Sequence, residues 1–377
     1  MKEPFPHDFR AILAAPAKGL SPRKILAASL FLTVGYALYV IFTYLALLID
    51  GVSFDYIRQS YGFFPIQWFT FDAITAKVLY LGGMSLTVLS VSLSIMSVAV
   101  ITFEELRGDF FFSAFDAIRF ALGRLPTMLL GFISLGIFVG FIYLLGILAG
   151  LVARIPYIGE LLIGVFYIIP IFLTLVFTVF VVFVAFTAVV LLPVIIAAQK
   201  RKEVFDSLLQ LFSVIIKEPL RFAWYMAVTA LLAKLASFVL AYLFYRTFQF
   251  SRMALSTGGG DRIDRLFNSA LAILPTDSQV VTFMTQALPG VHFGFSFSRW
   301  SYSADQSVGA VLLAISFFLL FIVIYGYAVS VLSVGLSRGY AVIRRMKDDY
   351  LIVDEEPLSP GDDYANPPLQ KDNRELS

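Results

Sequence analysis

The chain contains no cysteine and only two histidines, His7 and His292, in 377 residues. Disulfides, thiolate chemistry and cysteine-based metal sites are therefore excluded. Charge is scarce as well: 14% of residues are Asp, Glu, Lys or Arg, against about 25% in soluble domains. The HExxH, GxxxxGK[ST] and GxSxG patterns are missing, so none of the metal, phosphate-loop or nucleophile-elbow chemistries they carry is signalled. Net charge is only +2, so no overall positive field favours nucleic acid as a partner. This sequence points neither to an enzyme nor to a cofactor.

What is present is apolar. Hydrophobic residues make up 59% of the chain, 39 of the residues are Phe, and mean hydropathy is +0.85. A span needs about 20 apolar residues, and six stretches qualify: roughly 25–49, 76–102, 126–152, 170–197, 222–245 and 309–336. The first is too long for a cleavable signal, whose apolar core runs about 7–15 residues. The fold class expected is an all-α, polytopic transmembrane helix bundle with interfacial helices on its cytoplasmic side. Apolar sequence before the fourth span is long enough that a break is expected at Pro170, leaving 156–169 interfacial or re-entrant.

Basic residues orient the spans. The segments before span one, between two and three, between four and five, and after six hold 19 of the 28 Lys and Arg, against 7 on the other side. The positive-inside rule places both termini in the cytoplasm of a cell inner membrane. Trp68 and Trp300 then fall at the outer boundary and Trp224 near the inner one. The chain divides into an amphipathic N-terminus (1–24), a membrane domain (25–344) with an external loop at 247–308 forming a cap, and a tail (345–377). That tail is acidic and Pro-rich and reads as disordered, a solubilising extension or a docking peptide for a protein partner.

A repeat lies beneath the hydropathy. Phe115-Asp116 opens an amphipathic run ending at Pro126, and Phe205-Asp206 opens another ending at Pro219. A weaker version runs from Phe9-Arg10 to Pro22. Each predicts an interfacial helix, a proline elbow and a membrane hairpin, with proline suited to the first turn of the next helix.

Every carboxylate can be assigned to a loop, a terminus or a span boundary, which argues against a cation-coupled pump. Lys234 is the exception among charges, set midway along span five. Ala223, Ala227, Ala230, Lys234, Ser237 and Ala241 recur at steps of four and three, so a small-residue stripe is expected to turn Lys234 into the bundle. There it would be satisfied by carbonyls and hydroxyls, or would contact an anionic group such as a lipid phosphate. Thr87, Ser90 and Ser94 of span two continue a hydroxyl stripe from Gly83 and are candidate partners across a cavity between spans two and five. Gly136 with Gly140, and Gly146 with Gly150, form GxxxG pairs that predict close packing within the bundle or between subunits. Gly258, Gly259 and Gly260 read as a flexible linker. Glu104, Glu105, Arg107 and Asp109 read as a solvated boundary. His7 and His292 fall on opposite sides and cannot share a site.

The runs PYIGELLIGVFYIIPIF and LLPVIIAAQKRKEVFDSLLQLFSVIIKEPLRFAWY carry Pro156, Gly159, Pro193, Phe205, Asp206 and Pro219. With LSPRKIL and YAVIRRMKDD, they resemble uncharacterised bacterial inner-membrane proteins. They are also similar to the membrane domain attached to some glycerophosphodiester phosphodiesterases. The resemblance implies an integral membrane location and no activity, because the phosphodiesterase catalytic domain is absent. The expected function is a non-enzymatic envelope scaffold or accessory protein. The alternative is a permease or lipid-handling protein whose anionic ligand meets Lys234, Ser237, Thr87, Ser90 and Ser94. Membrane lipids are the expected partners in either case.

Overall fold

Prolines set the frame. Pro22 and Pro219 open helices, and Pro126 sits in the first turn of a third, where a missing N–H leaves no bond unmade. The structure, a computed structural model, describes residues 9–61, 64–167, 171–199, 203–274, 282–283, 286, 308–348, 351–355 and 357–358. Among these the secondary structure is helical, with no strand. In chain order the helices are α1 (Arg10–Leu13), α2 (Ala15–Gly19), α3 (Pro22–Ile49), α4 (Phe54–Tyr61), α5 (Ile74–Arg107) and α6 (Ala114–Gly123). They continue with α7 (Leu125–Val152), α8 (Ile158–Phe166), α9 (Phe172–Ala198), α10 (Val204–Lys217), α11 (Pro219–Gly259), α12 (Asp261–Ile273) and α13 (Val308–Asp348). Six of them, α3, α5, α7, α9, α11 and α13, are long and apolar enough to cross a membrane, which makes this a multi-pass membrane protein.

The six spans form three antiparallel hairpins, α3–α5, α7–α9 and α11–α13. The returning helix of each, α5, α9 and α13, meets the other two in a central triangle. Residues 92–104 of α5, 191–198 of α9 and 333–343 of α13 are all buried. That core lies at one end of the molecule, the end bearing α1, α2, α6 and α10 and called here the elbow face.

The short helices pack cyclically. Helices α1 and α2 lie on the third hairpin, α6 on the first and α10 on the second. Each elbow helix therefore belongs in sequence to one hairpin and in space to the hairpin before it. The repeat expected from the Phe-Asp runs thus has a three-dimensional counterpart, and even the weak N-terminal copy occupies its place. The described part of the N-terminal segment is joined to the membrane domain: Ala11, Ile12 and Ala15 are fully buried in the main core.

Local chemistry places the elbows. Ser113 caps α6, its Oγ accepting from the Asp116 N–H at 3.1 Å. Gly108 ends α5 at φ +105°, a conformation that favours glycine, and lets Asp109 N–H reach Glu104 O at 2.9 Å. At the opposite end Asp50 accepts from the Asp72 and Ala73 N–H groups at 3.0 and 2.9 Å, tying the end of α3 to the start of α5.

Several expectations are corrected here. The loop beginning at 247 is not a loop at first, since α11 runs on to Gly259 and α12 folds back against α11 and α13. Phe248, Phe267 and Phe317 close that hairpin with ring centroids 5.0–5.8 Å apart. Gly258 and Gly259 are helical, and Gly260, at φ +57° and ψ −149°, makes the sharp turn. It is a hinge of defined geometry, not a linker. The tail also begins later than expected: α13 continues to Asp348, and a turn at Ile352–Asp354 seats Ile352 and Leu358 in the core. Tyr167 after α8 and Ile171 before α9 both have helical backbone, and the break expected at Pro170 lies outside the described residues, as do His7, His292, Trp300 and 359–377.

Candidate functional site

The residues proposed from sequence are not brought together. Lys234 is exposed, and the ridge of α11 that turns inward is Phe222, Tyr225, Thr229, Ala233, Ser237 and Ala241. Ala227 and Ala230 are exposed beside Lys234. Close approach is supplied by the other helix. A methyl built on Gly335 of α13 would stand 2.4 Å from Thr229 Cγ2, so aromatic and β-branched residues of α11 rest on bare α13 backbone. Ser237 is buried, but its Oγ donates within its own helix, to Ala233 O at 2.7 Å.

The hydroxyls of α5 are used for packing against α3, not for a cavity facing α11. Thr87 Oγ1 lies 3.2 Å from Gly35 O and 2.9 Å from Gly83 O, and Ser94 Oγ donates to Ala28 O at 3.2 Å. Ser90 fills the space over Gly35, whose ideal Cβ would meet Ser90 Cβ at 2.7 Å. Neighbouring hydroxyls reach the other central helices: Ser92 donates to Val189 O of α9, and Ser333 of α13 donates to Ile95 O. The GxxxG pairs of α7 pack against none of the described residues. Gly136, Gly140, Gly146 and Gly150 are exposed, with no atom within 4 Å of an added Cβ. Gly131, Leu135 and Ile142 make the buried side of α7 instead.

The polar constellation that sequence reasoning missed is on the elbow face. Glu104 and Arg107, read as a solvated boundary, are buried and paired at 2.6 Å. Arg107 also donates to Ala198 O of α9 at 3.1 Å and to the Glu355 carboxylate. Glu104 Oε2 accepts from Leu358 N–H at 2.9 Å. The tail thus latches over the ends of α5 and α9. Beside it Lys24, fully buried, holds Glu105 at 2.7 Å, while Arg23 donates to Phe110 O and Phe112 O. A third network joins α9 to α10, with Asp206 accepting from Gln199 and Gln210 at 2.9 and 2.8 Å and Tyr340 bonded to Gln210. Arg124, buried at the elbow before α7, lies over the Phe120 ring, and desolvation lowers its pKa to about 10.

The i,i+3 spacing of Glu104 and Arg107 was the available signal for the first pair. Glu355, 248 residues further on, had none. These groups bind one another, so the constellation is a fastening.

A narrow side crevice with room for about one water molecule lies between α9, α10, α11 and α13, walled by Leu191, Val214, Met226, Gly335 and Tyr340. Thr229 Oγ1 borders it, buried and without a hydrogen bond. Among the described residues no three His, Asp or Glu side chains converge as metal ligands would. No family model matches the chain, and neither a curated protein nor a solved structure does.

Proposed function

We propose that this protein is a non-enzymatic scaffold or accessory protein of a bacterial cytoplasmic membrane, with its elbow face in the cytoplasm. The observation that carries this reading is the fate of the hydroxyls near the centre of the bundle. Thr87 and Ser94 of the predicted stripe, and Ser92 and Ser333 besides, donate to backbone carbonyls of neighbouring helices. Such bonds fix helices to one another. The core they fix is filled across the elbow half, and it displays long apolar helices to whatever surrounds it.

The reading is tested by capture. Full-length tagged protein, crosslinked in its native membrane, is expected to retain protein partners in fixed ratio. Deleting 359–377 spares Glu355 and Leu358, so it leaves the latch intact. If the tail docks a partner, the deletion should remove most of the captured protein without lowering the unfolding temperature. Full retention would end the docking role. A bound lipid with no protein in fixed ratio would instead support the alternative, a lipid-handling protein.

Orientation is checked on the cysteine-free background. Single replacements Ser256→Cys at the far end of α11 and Arg119→Cys on α6 should react oppositely with a membrane-impermeant maleimide. The first is expected to label in intact cells and the second only after lysis. The reverse pattern would invert the topology.

A further inference from the structure

We propose that the ridge Ala223, Ala227, Ala230 and Lys234 on α11 seats a transmembrane helix of a different protein, one carrying a carboxylate at mid-bilayer depth. The inference rests on the scaffold reading and gives that scaffold's partner a chemistry. All four residues are exposed and fall on one helical face, at steps of four, three and four. The Lys234 ammonium makes no hydrogen bond or ion pair with any described residue. Charges within a membrane almost always face protein or water and are paired. An exposed, partnerless lysine on a span marks a surface that the protein alone leaves unfinished.

Depth identifies the occupant. Lys234 lies thirteen residues past Arg221 and twelve before Arg246, about 20 and 18 Å along the helix. Half of the hydrocarbon core is about 15 Å, so a headgroup phosphate lies beyond the reach of a lysine side chain without thinning the bilayer. A second copy of this chain does not fit either, because none of its carboxylates lies at the middle of a span. A foreign helix fits on both counts. The flat Ala223–Ala227–Ala230 surface allows its backbone to come close, and its Asp or Glu, placed opposite Lys234, supplies the missing charge. Ion pairing at that depth also selects the partner, since a helix without the acid leaves the lysine unpaired.

The test uses the full-length protein in phosphatidylcholine liposomes, with energy transfer to a synthetic Leu/Ala transmembrane peptide bearing one central Glu. The Glu peptide is expected to associate at least tenfold more tightly than its Gln twin. Lys234→Leu should erase that preference, and Lys234→Glu should transfer it to a peptide with a central Lys. Because Lys234 is exposed, these variants keep the fold, which thermal unfolding checks. Equal association of the Glu and Gln peptides overturns the proposal, as does a preference that survives in Lys234→Leu. An anionic lipid lost from nanodisc-embedded Lys234→Leu, with no peptide preference, assigns the residue to lipid and also overturns it. If native partners are captured equally by wild type and Lys234→Leu, this surface is excluded while the scaffold reading stands. If wild type captures none, that reading itself fails.

Discussion

Replacing Arg107 by alanine should lower the unfolding free energy by about 3–5 kcal/mol, the usual cost of removing one partner from a buried ion pair. The mechanism is specific. Glu104 is completely buried, so losing the guanidinium 2.6 Å away leaves a carboxylate that keeps only the Leu358 N–H. Ala198 O at the end of α9 loses its donor, and Glu355 loses the contact that holds the tail down. Glu355→Ala should cost far less, because Glu355 is near the surface and its removal leaves Arg107 bonded to Glu104 and Ala198. The double variant Glu104→Leu/Arg107→Met should fall between them, since it removes both charges and restores apolar volume. Thermal unfolding in detergent gives the ranking. An Arg107→Ala protein as stable as Glu355→Ala would mean that the pair is hydrated and not the fastening described.

The second large effect separates two sets of glycines. Gly83→Ala should destabilise by about 1–3 kcal/mol through overpacking, because the new Cβ would lie 2.5 Å from Phe42 Cβ. That atom is fixed to the α3 backbone, so α3 and α5 must move apart and loosen Thr87 and Ser90 with them. Gly136→Ala and Gly140→Ala have nothing within 4 Å. They should be neutral or gain up to about 1 kcal/mol from helix propensity. Unfolding of the three variants side by side decides the matter. A Gly136→Ala or Gly140→Ala protein that loses as much as Gly83→Ala would show that the α7 ridge is packed in the working protein, against a second chain.

This contrast shows how the sequence could be read and where it could not. The GxxxG spacing in α7 was the clearest packing signal in the chain, yet that ridge is bare. The tight contacts use other glycines: Gly35, Gly83, Gly131 and Gly326 singly, and on α13 Gly335, four residues before Gly339, against α11. Lys234 fails in the same way. Positions one residue apart on a helix differ by about 100°, so a stripe shifted from Ala233 to Lys234 changes inside to outside. On α5 the small and hydroxylated positions did mark a contact, but the partner is α3 and not α11. The latch was invisible because Glu104 and Arg107 acquire their burial from a tail segment some 250 residues away.

The sequence by itself determined that six apolar stretches become helices. The prolines, with Gly108, fixed where several of them start and stop, and the Phe-Asp runs placed the elbow helices α6 and α10 between spans. Those are local matters, decided by hydropathy, dihedral freedom and unbonded N–H groups at helix ends. Only the tertiary structure decided which side of each span faces inward, which hairpin each elbow helix lies on, and which charges are buried. In water, burial leaves an apolar stripe that can be read from a single helix. In a membrane the lipid is as apolar as the protein interior, so Ala233 and Leu235 look alike to both, and facing is settled by the fit of one helix against the next.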